Sequence, residues 1–136
     1  MVELNFDISE FCITDEVTPD IADKILHFHI LPLQEIRNKT KLPIVVSDHS
    51  GYRPVKWEKS HKRDGTSQHT FRLMGAVDLE YYASLLKYLL SDSPYKRICF
   101  YKNNGFIHCD YKSSDKKRRY YECDSPTSKW KLIKIL

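Results

Sequence analysis

His69 and Asp78 stand near the two ends of Ser67-Gln68-His69-Thr70-Phe71-Arg72-Leu73-Met74-Gly75-Ala76-Val77-Asp78-Leu79, an imidazole and a carboxylate in the setting of a metal site. A Zn²⁺ that keeps one position open for water takes three protein ligands from His, Asp and Glu, at contacts of about 2 Å. The third ligand on offer is His108, in Gly105-Phe106-Ile107-His108-Cys109-Asp110-Tyr111, an apolar and aromatic run that reads as a strand. Side chains alternate along a strand, so His108 and Asp110 face one way, toward a site, and Ile107 and Cys109 face the other, toward a core. Such a site acidifies water and needs a base to take its proton. Asp110 suits that role by its position beside His108, its alternative being a partner that orients a ligand imidazole. Glu58, Asp64 and His61 are further candidates for the base. Arg53, in Ser50-Gly51-Tyr52-Arg53-Pro54, is either a planar fork for a substrate carboxylate or an ordinary arginine in a surface turn.

These residues need elements to hold them. Thr18-Pro19-Asp20 reads as a helix entrance, and Ile21, Ile25, Phe28, Leu33 and Ile36 recur at helical spacing, which predicts a helix over 19–38 with Pro32 threatening a kink or break. His27 and His29 lie two apart on it and do not share a helical face as a ligand pair would. Leu42-Pro43-Ile44-Val45-Val46-Ser47 reads as a short buried strand that delivers Asp48 to Pro54, with His49 capping a turn or meeting substrate. Residues 55–65 read as a long charged loop. A short extended piece, 75–78, leads to an amphipathic helix over 79–90, stopped by Ser93-Pro94. Asn104-Gly105 marks a hairpin between 96–101 and 105–111. Residues 118–123 read as a further strand, and 130–136 as an apolar tail that docks on the body. Phe6, Ile8 and Phe11 pin the N-terminus.

The 136 residues suit a single domain spanning 1–136, and hydrophobic and charged fractions of 41% and 29% are those of a globular chain. No apolar run is long enough to span a membrane. The first residues lack the pattern of a secretory signal, which predicts synthesis in the cytoplasm. Cys12, Cys99, Cys109 and Cys123 form no C-x-x-C pair and read as plain thiols, with a contact between Cys99 and Cys109 across neighbouring strands as an option. The net charge of +4 comes largely from basic runs at 56–63 and 112–119, a solvated face or a surface for anionic polymers. The charge is modest and no nucleic-acid motif accompanies it, so no nucleic-acid partner is expected.

Taken in order, Ser50-Gly51-Tyr52-Arg53, then Ser67-Gln68-His69 with Gly75-Ala76-Val77-Asp78, then Phe106-Ile107-His108-Cys109-Asp110 resemble the motifs of the zinc D-alanyl-D-alanine carboxypeptidase family, especially its small phage and bacterial members that cut peptidoglycan stem peptides. The resemblance implies zinc on His69, Asp78 and His108. It implies that Arg53 binds a substrate carboxylate or steadies the transition state, and that Ser67 and Gln68 shape the site. It also implies an α+β domain whose antiparallel sheet carries the metal, with helices packed on the other side. The implied activity is amide hydrolysis in peptidoglycan, by an enzyme released at phage lysis or carried in a virion. A catalytically silent zinc module that binds a wall peptide or a virion partner is the rival. Two departures from the family stand out. His69 and Asp78 are nine residues apart instead of seven, and Gly105 occupies the place of an acid that many members carry three residues before the last histidine.

Overall fold

The computed structural model describes residues 4–63 and 65–136. Thr18 Oγ1 accepts the Ile21 N–H and Pro19 takes the first helical position, opening α1 (Pro19–Ile25). The break threatened by Pro32 does not occur. The helix loosens into a single π turn (Leu26–Ile30) and resumes as α2 (Leu31–Thr40), so that Pro32 falls in the first turn of the resumed helix. A proline at 32 still leaves the Phe28 carbonyl without its usual donor four residues on. The Tyr111 hydroxyl donates to that carbonyl instead and ties the helix to the end of a strand. The expected apolar stripe is present, with Ile21, Ile25, Leu33 and Ile36 all buried.

Five strands form one sheet in the order β1-β3-β2-β4-β5: β1 (Ala76–Glu80), β2 (Arg97–Tyr101), β3 (Phe106–Asp110), β4 (Arg119–Cys123) and β5 (Lys131–Ile135). β2 and β3 are the hairpin expected around Asn104-Gly105. The sheet is mixed, which corrects the all-antiparallel expectation: β4 runs parallel to β2. The hairpin accounts for this. β3 ends beside the start of β2, where Asp110 lies opposite Arg97, and its far edge is already taken by β1. The chain then returns at Arg119, again opposite Arg97, and runs along the free edge of β2 in the same direction.

Three more expectations are corrected. Leu79 and Glu80 belong to β1, where Leu79 pairs with Ile107, and the following helix begins later, as α4 (Ala83–Asp92). Residues 42–47 form no strand. Pro43 has no N–H, and the segment pairs with β1 through a bridge from Val46 to Leu79 and the bond from the Glu80 N–H to the Val45 carbonyl. Where a long loop was expected over 55–65, residues Val55–Ser60 form a short helix, α3.

The sheet separates two environments. Val77, Leu79, Ile98, Ile107 and Cys109 face the helices and close a core with Ile25, Ile30, Leu33, Leu85 and Leu89. Phe6 and Phe11 join it from the N-terminal segment, as expected. Arg118 donates to the Leu90 carbonyl in the last turn of α4 and to the Ser93 and Tyr95 carbonyls just beyond it. β5 places the apolar tail on the sheet edge, yet Leu132, Ile133 and Ile135 remain exposed. No described helix is long and apolar enough to cross a membrane.

Candidate metal centre

Strand register alone brings two of the three expected ligands together. Asp78 on β1 lies directly opposite His108 on β3, and both project from the face of the sheet away from the core. His69 arrives from a short 3₁₀ turn, Gln68–Thr70, whose cap is Ser67: its Oγ accepts the His69 N–H at 3.1 Å. His69 Nε2, His108 Nδ1 and Asp78 Oδ1 stand 3.2, 3.0 and 3.4 Å apart, pair by pair. Ligand atoms held about 2.1 Å from a tetrahedral ion are separated by about 3.4 Å, so the triangle, with edges of 3.0–3.4 Å, is close to the size that could hold a metal ion. All three residues are buried.

The far side of each imidazole fixes what it presents to the triangle. His69 Nδ1 lies 2.7 Å from the Gly51 carbonyl, which can only accept, so the proton of a neutral ring sits there and Nε2 offers a lone pair. His108 Nε2 lies 2.7 Å from Asp110 Oδ2 and donates to it, leaving Nδ1 as the lone pair. With both rings neutral, three acceptors converge, an arrangement that a proton on His108 Nδ1 or a metal ion can satisfy. Burial alone lowers the proton affinity of His108, but its contacts with Asp110 and Asp78 outweigh that and raise its pKa to about 9. Burial pushes His69 the other way, below its ordinary value, and the two imidazoles hold Asp78 well below the carboxylate range despite its burial. A metal ion would take the place of the proton on His108.

Gly51 is required by the approach it makes. A Cβ there would lie 2.3 Å from the Phe11 carbonyl oxygen, so only glycine lets its own carbonyl reach His69. Arg53 donates through Nη2 to Ser50 Oγ at 2.7 Å and to Asp78 Oδ2 at 3.3 Å, while the Ser50 hydroxyl donates to the same carboxylate oxygen. The second oxygen of Asp78 is therefore held while the first faces the triangle. Arg53 also stacks on Trp57, 5.3 Å from the ring centroid.

Asp110, the residue read as base or orienting partner, has both oxygens occupied. Oδ2 accepts from His108 and from Arg97 Nη2 at 2.6 Å, and Oδ1 accepts from the Lys112 N–H at 2.9 Å and from Arg97 Nε at 3.1 Å. Burial raises its pKa, yet His108 and Arg97 together bring it down to about 2. The geometry is that of the orienting partner.

The triangle lies in the wall of an open cleft of about 460 Å³, lined also by Arg53, Glu58, Arg63, Ser67, Gln68, Arg97, Tyr101 and Trp130. Ser67 and Gln68 border it as expected. His61 is exposed and turned back on α3, its Nδ1 2.8 Å from the Trp57 carbonyl. Asp64 lies outside the described residues. His49 meets the Ser9 carbonyl at 2.8 Å, His27 pairs with Asp23 on the surface, and His29 is sealed in the core between Tyr95 and the Met74 carbonyl.

Sequence reasoning missed Arg97, Tyr101 and Trp130. Arg97 was within reach, because the hairpin that pairs Tyr101 with Phe106 also pairs Arg97 with Asp110. The same register corrects the Cys99 and Cys109 contact: Cys99 lies opposite His108, Cys109 lies opposite Ile98 on the other face, and the thiol near Cys99 is Cys123, at 3.7 Å. Trp130 gives no such signal, since it reaches the cleft only through the pairing of β5, where its indole donates to Tyr101 Oη at 3.2 Å and its ring lies 4.6 Å beneath the Arg97 guanidinium.

Compared with known proteins, the chain matches no family model, no curated protein and no solved structure. The fold and the site define an α+β domain with a buried group of two histidines and one aspartate able to hold a metal ion at the wall of a cleft.

Proposed function

We propose that this cleft is the active centre of a zinc-dependent peptidase that hydrolyses amide bonds in peptidoglycan stem peptides, as a D-Ala-D-Ala carboxypeptidase or a related endopeptidase. The observation that carries the reading is the convergence of three lone-pair atoms, 3.0–3.4 Å apart, with the outer nitrogen of each imidazole already anchored. A bound Zn²⁺ supplies Lewis acidity at a scissile carbonyl and lowers the pKa of water to about 7. His69, Asp78 and His108 hold the ion. The Gly51 carbonyl and Asp110 keep the imidazoles in the ligating tautomer, and Ser50 with Arg53 fixes the carboxylate. Arg53, Arg63 and Arg97 give the cleft cationic walls suited to the terminal carboxylate of a stem peptide. The peptidoglycan substrate, and action on the cell wall after phage lysis or from a virion, follow from the resemblance of the three ordered motifs.

The nine-residue separation of His69 and Asp78 is compatible with this reading. The intervening loop buries the Phe71 ring against Gly75 and is tied to α1 by Lys24 Nζ, which donates to the Phe71 carbonyl at 2.9 Å. One observation favours the rival, a silent module that keeps its metal without cleaving: Gly105 supplies no acid and Asp110 has no free oxygen. Incubating the zinc-loaded protein with intact muropeptides and weighing the fragments decides between them. The peptidase reading expects loss of a terminal D-alanine or a cut within the stem. Stoichiometric zinc without any product would establish the silent module.

A further inference from the structure

We infer that Glu58 is the proton acceptor of this cleft, an assignment that rests on the peptidase reading. Glu58 sits on α3, is fully buried and yet lines the same cleft as the ligand triangle. Its Oε2 accepts from Arg63 Nη1 at 3.1 Å. Its Oε1 is buried without a hydrogen-bond partner, and among the described residues no other buried side-chain nitrogen or oxygen is left so. Buried acceptors are almost always paired in folded proteins, so an unpaired carboxylate oxygen on a residue that lines the cleft points to a donor that arrives with the substrate or with water. Among the described carboxylates bordering the cleft, Asp78 is committed to the triangle and Glu58 alone keeps a free oxygen.

The surroundings hold Glu58 in place. Its carbonyl accepts the Arg63 N–H at 2.9 Å, and the guanidinium groups of Arg53 and Arg63 both lie over the neighbouring Trp57 ring, 5.3 and 5.1 Å from its centroid. Arg53 in turn reaches Asp78, so one arginine links the wall that carries Glu58 to the ligand set. In the reaction, an O–H bond of the attacking water breaks and its proton passes to Glu58 Oε1 as the new C–O bond forms at the carbonyl carbon. When the C–N bond breaks, the same proton passes to the leaving nitrogen. The carboxylate is restored, and one water has become part of an acid and an amine.

The test compares zinc-loaded wild type with Glu58→Gln and Glu58→Asp. Binding of a peptide hydroxamate is followed by calorimetry in buffers of different ionisation heat, beside zinc content and muropeptide cleavage. Wild type should keep the hydroxamate proton on Glu58 and pass none to the buffer, while Glu58→Gln releases it. Glu58→Gln should keep its zinc and lose cleavage by about 10²–10⁴-fold, with partial recovery in Glu58→Asp. Equal proton release by wild type and Glu58→Gln, undiminished cleavage by Glu58→Gln, or loss of its zinc would each overturn the assignment. Proton capture and zinc in a wild type that cuts no muropeptide would uphold Glu58 as acceptor and remove the peptidase reading instead.

Discussion

His108 spends one ring nitrogen on Asp110 and keeps the other for the triangle, so Asp110 would govern the candidate metal site without touching the ion. Asp110→Asn should leave the fold intact and weaken zinc binding by about 10–100-fold in a competitive chelator titration, whereas unchanged affinity would strip Asp110 of its orienting role. His29 gives the clearest pH dependence. Burial, opposed by its bond to the Met74 carbonyl, brings its pKa from 6.5 down to about 4. The folded state therefore binds that proton less readily than the unfolded chain. Its contribution to stability is complete above 6.5 and is lost as pH falls toward 4, by roughly 3 kcal/mol. An NMR titration of the metal-free protein should find the His29 ring neutral down to that range; titration near 6.5 would contradict its burial. At this scale the sequence was most readable where alternation applies, as for His108 and Asp110. It was least readable for Glu58, whose free oxygen depends on how a charged segment folds into α3.

At the scale of elements, the loop between His69 and Asp78 shows how an unusual spacing is accommodated. Phe71 has a φ of +57° and turns its ring inward, and Gly75 has a φ of +80° with that ring lying where a side chain would begin, 2.3 Å from a Cβ. Gly75→Ala should destabilise the protein by about 1–3 kcal/mol in denaturant unfolding, from strain at the backbone and displacement of Phe71; a neutral result would mean the loop has slack. Tyr111→Phe should cost about 1–2 kcal/mol because the Phe28 carbonyl loses its donor beside Pro32. The proline was visible in the sequence, but the π turn that precedes it and the Tyr111 hydroxyl that serves the Phe28 carbonyl were not, since that hydroxyl lies just past a strand far along the chain. The helix over 79–90 was misplaced for a related reason: an apolar Leu79 fits either element, and only its pairing with Ile107 assigns it to β1.

Across the whole molecule, the sheet divides labour between its faces, one closing the core and the other carrying the triangle, Arg97, Cys99 and Tyr101. All four cysteines are buried free thiols. Burial pushes each of them above the ordinary thiol range. None should react with a thiol reagent until the protein unfolds; rapid native labelling would contradict the packing. The α+β class and the hairpin were legible from local patterns, but the parallel pairing of β4 with β2 was not, because it depends on which sheet edges remain free once β1 and β3 have met. The central claim concerns the ion. Zinc titrated into the metal-free protein and into His69→Ala, Asp78→Ala and His108→Ala, with metal content measured after dialysis, tests it most directly. One ion per chain in the wild type and none retained by the three variants is the predicted result; stoichiometric zinc in all three variants would contradict it.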